Sequence, residues 1–278
     1  MIEILENIGM LLLLVVALAL VFIMGVAQYN LVFGTTMPAL SKLILPRRLE
    51  ARYKIHIAKN LSFYKYLGPK SRIKFERRVQ QFINLKEFIP RGKDMLITDE
   101  MKALIAGTAV MVGFGHPGIY LSHFKKILLY NNNYYSTITK QYHKGEVNMR
   151  GYIVLSWQAF RDGFIDKKDG INLGIHEMAH ALRFENRIMN DEYGFLNPRA
   201  IRKFDHIALE EIALRNTDPD RSSVLRDYSI SNKEEFFAVA AELFFEDPLK
   251  LLNYSPDLYY LLVPIFKIDT LKMLKHAG

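Results

Sequence analysis

The sequence predicts a mainly helical α+β domain with a small β-sheet, preceded by one transmembrane helix. Three features predict it: an uncharged apolar run of membrane length near the N-terminus, two short β-type runs in mid-chain, and several stretches of helical periodicity with capping signals.

Residues 8–27 read IGMLLLLVVALALVFIMGVA, without a charge. About 20 apolar residues in a helix match the hydrocarbon thickness of a bilayer. A cleaved signal peptide wants a basic start and a shorter apolar core. Here Glu3 and Glu6 precede the run and no Lys or Arg does, so a retained anchor over residues 1–34 is expected. Lys42, Arg47, Arg48, Arg52 and Lys54 follow it. The positive-inside rule then expects the rest of the chain in the cytoplasm, with residues 35–68 a basic juxtamembrane connector against anionic headgroups.

The 278 residues leave one domain, over residues 69–278, after the anchor and connector. Lys and Arg total 37 against 29 acids, a formal charge of +8. Nucleic acid could attract such a chain, but no zinc-finger or RNP pattern accompanies the charge, so it is not an expected partner. The absence of cysteine excludes disulfide frameworks, CxxC ribbons and thiol nucleophiles. Any metal must be held by His, Asp or Glu.

Residues 69–88 read as an amphipathic helix, with Ile73, Phe75, Val79, Phe82, Ile83 and Phe88 at loosely helical spacing. Thr98, followed by Asp99 and Glu100, opens a mostly apolar helix. Lys126–Tyr130 and Tyr152–Ser156 are β-type runs, with asparagines at 131–133 as a turn signal between them. Helices are expected over residues 171–187 and from Pro198 to about residue 215, then a loop over 218–228. Ser231 and Glu234 have capping-box spacing for a helix reaching Phe245, which Asp247-Pro248 ends; one or two helices finish the chain.

His176-Glu177-Met178-Ala179-His180 is an HExxH sequence inside the helix expected at 171–187. Residues four apart share a helix face, so both imidazoles can reach one zinc ion. Glu177, one position round, is placed to take a proton from a water at the metal. This suits a zincin-like catalytic domain, and Glu177 would be superfluous in a purely structural zinc site. Catalytic zinc takes three protein ligands and an open position. Arg183 and Asn186 stand where an HExxHxxGxxH motif needs Gly and His, so a downstream carboxylate is needed. Glu185 is too near on the same helix, and Glu210 and Glu211 sit among charges.

Glu235 opens the run EFFAVAAELFF. A helix this apolar is buried, and a buried carboxylate is costly unless paired or metal-bound. Glu242, two turns on, could accept a hydrogen bond from a ligand histidine or form an ordinary buried salt bridge. Tyr228, just before that helix, could donate to an oxyanion.

The chain resembles the Mlc titration factor A family of zinc-dependent peptidases through ITDEMKALIA at 97–106, GYIVLSW at 151–157, NLGIHEMAH at 172–180 and EFFAVAAELFF at 235–245. The likeness spans roughly residues 60–260 and excludes the anchor. It implies one zinc ion with His176, His180 and Glu235 as ligands, Glu177 as base, and Tyr228 seven residues before the ligand glutamate. Family members often continue the motif as HExxHKLD, whereas this chain has Ala181, Leu182 and Arg183; His143 has no assigned role. The expected activity is peptide hydrolysis at a membrane, on a peptide or protein substrate, with the strand at 151–156 lying along the cleft. The resemblance also suggests a different class: a membrane-tethered protein that sequesters a transcriptional regulator.

Overall fold

A computed structural model describes residues 2–33, 48–136, 140–166, 169–188, 194–218 and 223–275. The chain divides into two compact units, Met1–Leu45 and Pro46–Gly278. Within the basic cluster that follows the apolar run, Lys42 and Arg47 lie outside the described residues.

The first unit is the helix α1 (Ile2–Phe33). Its stretch Asn7–Gly25 has a mean hydropathy of 3.0, with none of it buried within the protein. At 1.5 Å per residue these 19 residues are about 28 Å long, enough to cross a bilayer core.

The second unit begins well before residue 69. Helices α2 (Ala51–Asn60) and α3 (Ser62–Tyr66) stand in the stretch read as a connector. Tyr53, Ile57, Leu61, Phe63, Tyr64 and Leu67 are all buried there, while Arg52, Lys54, Lys59 and Lys65 face solvent. The basic residues are the outer face of an amphipathic segment whose other face belongs to the core. Helix α4 (Pro69–Leu85) has proline in its first turn and buries Phe75, Val79, Phe82 and Ile83. Ile73 stays half exposed and Phe88 falls outside the helix, so two of the six apolar positions read as its inner face do not belong to it. Phe88 lies instead in β1 (Glu87–Arg91), whose Pro90 is tolerated because β1 is a sheet edge.

Helix α5 (Asp99–Val112) starts at Thr98, whose hydroxyl accepts a hydrogen bond from Met101 N at 3.2 Å. It is buried along most of its length, and α2 and α4 both pack on it. Strands β2 (Lys126–Tyr130), β3 (Tyr134–Ser136), β4 (Gln141–His143), β5 (Gly145–Asn148) and β6 (Tyr152–Ser156) follow. The main sheet has the order β1-β2-β6-β5, with β1, β2 and β6 parallel and β5 antiparallel to β6. Ile127, Leu129, Ile153 and Leu155 are fully buried on one face. The pair β3–β4 is separate and antiparallel.

Beyond the sheet come α6 (Trp157–Asp162), α7 (Leu173–Ile188), α8 (Pro198–Thr217), a short 3-10 turn at Asp227–Ser231, and α9 (Lys233–Glu246). Helix α9 packs against α7 and α8. Phe236, Phe237 and Phe244 are fully buried, each contributing roughly 1.5–3 kcal/mol by leaving water. Three short helices end the described chain: α10 (Pro248–Tyr254), α11 (Pro256–Phe266) and α12 (Thr270–Lys275). The first two open on proline after a capping Asp247 or Ser255. The fold is a mainly helical α+β domain with a small mixed sheet, as the sequence predicts.

The turn that follows α5 is held by one buried cation and by a close approach to the end of α11. Arg78, buried on α4, donates to the carbonyl oxygens of Gly113, Phe114, His116 and Ile119 at 2.7–3.2 Å. Gly115 passes so close to the end of α11 that a Cβ there would lie 2.1 Å from Phe266 O.

Candidate metal centre

Helix α7 starts where the Asn172 side chain accepts a hydrogen bond from Ile175 N at 3.0 Å. From that start His176 and His180 project from one face, their ring centroids 4.7 Å apart. Helix α9 starts at Asn232, not at Ser231: the Asn232 Oδ1 accepts from the amides of Glu234 and Glu235, each at 3.0 Å. That cap fixes the first turn of α9 and directs Glu235 at the two rings.

The Glu235 Oε2 lies 3.0 Å from His176 Nε2 and 3.4 Å from His180 Nε2, and the two ring nitrogens are 3.1 Å apart. A tetrahedral ion with bonds of about 2.0–2.1 Å separates its ligands by about 3.3 Å, so these three donors already span one face of such a tetrahedron. They form the one cluster of three such donors found among the described residues.

The chemistry of the donors agrees. Burial works against charge on His176, yet hydrogen bonds to Glu235 and Glu242 hold its imidazole up to about 10. Burial likewise opposes ionisation of Glu235, but the hydrogen bonds from His176 and His180 draw it down to about 2. The cluster is poised to hold positive charge, which a metal cation supplies. A donor set of this kind fits a metal ion.

Glu177 is 5 % exposed, beside the donors and against Gly145 of β5. Burial raises its carboxyl above the usual range, with His176 and His180 pulling the other way. Glu242 is fully buried; its Oε1 faces His176 Nδ1 at 2.8 Å, and it also accepts from Arg226 and from the Asn172 amide. Both readings the sequence left open for Glu242 therefore hold together: it meets the histidine and pairs with an arginine. Tyr228 is 56 % exposed, its ring 6.1 Å from that of His176. Burial of the phenol and the carboxylates of Glu235 and Glu177 push its hydroxyl up, so it remains a donor at neutral pH.

The carboxylates set aside in the sequence are engaged elsewhere. Glu185 accepts from the amides of Ser122 and His123 at 2.7 and 3.0 Å, Glu210 pairs with His206, and Glu211 accepts from Tyr254. His143 lines the cleft, its ring stacked on Tyr134, outside the donor cluster. Arg183 is buried, bonds Asp205 at 2.8 and 3.0 Å, and lies over the Phe237 ring. Lys233 reaches the same Asp205 at 3.2 Å, so one carboxylate on α8 ties both donor-bearing helices. No local signal in the sequence marks Arg226 or Asp205 for these roles.

A cavity of about 800 Å³ borders the centre, lined among others by Lys144, Asp162, Asp169 and Arg226. A second, of about 410 Å³, also borders it, with Val147, Phe184 and Glu234 in its lining. His143, Gly145, His176, Glu177 and Tyr228 line both.

Two imidazoles and a carboxylate converging beside a second, buried carboxylate, in a cleft, define a metallopeptidase-like protein. The chain belongs to the glucose-regulated metallo-peptidase M90 family, whose model matches residues 40–267. It is 25 % identical over 274 residues to the uncharacterized protein slr2042 of Synechocystis, covering 92 % of this chain and 98 % of that one. It is 29 % identical over 227 residues to Mlc titration factor A of Pectobacterium atrosepticum, covering 75 % and 83 %. With Mlc titration factor A of Escherichia coli it shares 31 % identity over 141 residues, 48 % of this chain and 51 % of the relative.

Proposed function

We propose that the chain is a zinc-dependent metallopeptidase held to a membrane by α1, with its catalytic domain in the cytoplasm. The observation that carries the chemistry is the convergence of His176, His180 and Glu235 to within 3.0–3.4 Å of one another, with Glu177 beside them. Those three residues would hold the zinc, which supplies a Lewis acid to polarise the scissile carbonyl and acidify a water. Glu177, buried beside the three donors, would take a proton from the attacking water and deliver it to the leaving amine. Tyr228 donates its hydroxyl to the oxyanion that develops at the carbonyl. Glu242 holds His176 by Nδ1, leaving Nε2 for the metal.

The edge that meets the substrate is β5, which replaces the strand at 151–156 expected from the sequence. That strand, β6, lies between β2 and β5. Ser156 N donates to Lys144 O at 2.7 Å, which makes 144 and 156 a hydrogen-bonded pair. By alternation the main-chain groups of Gly145 and Val147 point away from β6, and both residues line the smaller cavity. An extended peptide can pair with them there.

Metal analysis of the purified chain together with digestion of a peptide library tests this reading. One equivalent of zinc and cleavage that a chelator abolishes are expected; a metal-free chain, or a zinc-loaded one that cleaves nothing, overturns it. For the anchor, fractionation after alkaline extraction should leave the full chain in the membrane pellet, and its release would refute α1 as a span.

The name carried by the enterobacterial relatives supports a second reading, in which the chain sequesters a transcriptional regulator at the membrane and hydrolysis is secondary. Pull-down with the Glu177→Gln form separates the two. A regulator retained equally by that form, from a chain without peptidase activity, favours the sequestering role.

A further inference from the structure

We propose that Gly145 is a positioning residue for Glu177: the side chain it lacks is the space in which the carboxylate sits. The proposal rests on the assignment of Glu177 as the base. A Cβ at Gly145 would lie 2.4 Å from Glu177 Oε1, 2.7 Å from Cδ and 2.8 Å from Cγ. Non-bonded heavy atoms are attracted at about 3.5–4.0 Å and repel strongly at such distances. Gly145 is not among the glycines with positive φ, so its backbone conformation is open to any residue. Close approach is therefore the reason for glycine at this position.

The strand is less free to yield than the side chain. Beside Gly145, Lys144 O accepts the Ser156 amide, and the pairing with β6 runs on through Asn148. The Glu177 side chain has rotatable bonds that the paired strand lacks, so a methyl group on β5 drives its carboxylate off its present position. The three atoms nearest to that methyl all belong to the Glu177 side chain, and none to His176 or His180. The same residue offers its main chain to the substrate edge, so a peptide paired with β5 is brought directly beside the base.

The test is Gly145→Ala in the full chain, alone and combined with Glu177→Ala. Gly145→Ala should retain wild-type zinc content and a KM within about twofold, while kcat falls on the order of a hundredfold, as misplacement by about an ångström does. Its thermal midpoint should drop by roughly 3 °C with Glu177 present, and by much less when residue 177 is already alanine. Unchanged kcat overturns the proposal, and so does an equal drop in both backgrounds, because the penalty would then come from β5 itself. If Gly145→Ala does not fold, recovery of folding in the double variant supports the contact and failure of both refutes it. A wild-type chain without turnover sinks the peptidase reading, whereas the stability comparison reads the contact without any turnover.

Discussion

Glu242 Oε1 stands 2.8 Å from Nδ1 of His176, while Glu235, seven residues earlier on the same helix, faces the other nitrogen of that ring at 3.0 Å. One helix thus grips the imidazole from both sides, two turns apart, and sets both its tautomer and its plane.

Glu242→Gln should therefore weaken metal binding about 10- to 100-fold. Competition against a chelator of known affinity measures this. Affinity equal to wild type would mean that packing alone orients the ring.

Glu177→Gln should keep the metal and lose about a hundredfold or more in kcat, the usual contribution of a positioned base. Zinc-loaded variant with undiminished turnover refutes the assignment. A steady-state assay beside metal analysis is sufficient.

Tyr228→Phe is expected to fold and load normally, because the ring is 56 % exposed and is not among the clustered donors. Loss of an oxyanion donor costs about 10²–10³ in kcat. A loss confined to KM would assign Tyr228 to substrate binding instead.

Asp205→Ala removes the carboxylate that Arg183 and Lys233 share. It leaves the buried Arg183 uncompensated, at a cost of about 3 kcal/mol. Chemical denaturation reads the loss directly. A change below about 0.5 kcal/mol would mean that Arg183 rests on the Phe237 ring alone.

His116 predicts a pH effect away from the metal. Burial lowers its pKa to about 4, although its Nε2 donates to Ile265 O at 2.7 Å, an end-of-helix carbonyl on α11. The folded chain therefore binds fewer protons than the unfolded one between about pH 6.5 and pH 4. Stability falls as pH drops through that window, and the penalty, about 3 kcal/mol, is complete below it. Denaturation of wild type and His116→Asn at pH 4 and pH 7 isolates this contribution from that of the metal-site histidines. Equal pH dependence of the two proteins would dismiss it.

Several elements were legible in the sequence because their signals are local. The Thr98 cap, the proline starts of α4 and α8, and the β-type runs at Lys126–Tyr130 and Tyr152–Ser156 are all in place. The strands β1, β3, β4 and β5 carry no comparable local signal. Pro90 argues against a strand unless the strand is an edge, and β3 to β5 have only three or four residues each. The helix over residues 51–60 is hidden for a related reason: Arg52, Lys54 and Lys59 interrupt its apolar residues, and only the packing of Tyr53 and Ile57 on α5 shows which face is inside.

By itself, the sequence determined that His176 and His180 would share a helix face, because a spacing of four is close to one turn. It also singled out Glu235, because an acid at the head of so apolar a run needs a charged partner. Tertiary structure alone decided that Glu235 meets those rings, that Glu242 and Arg226 stand behind them, and that Gly145 leaves room for Glu177. Each of these joins segments far apart along the chain, and no periodicity within a segment encodes which other segment will pack against it.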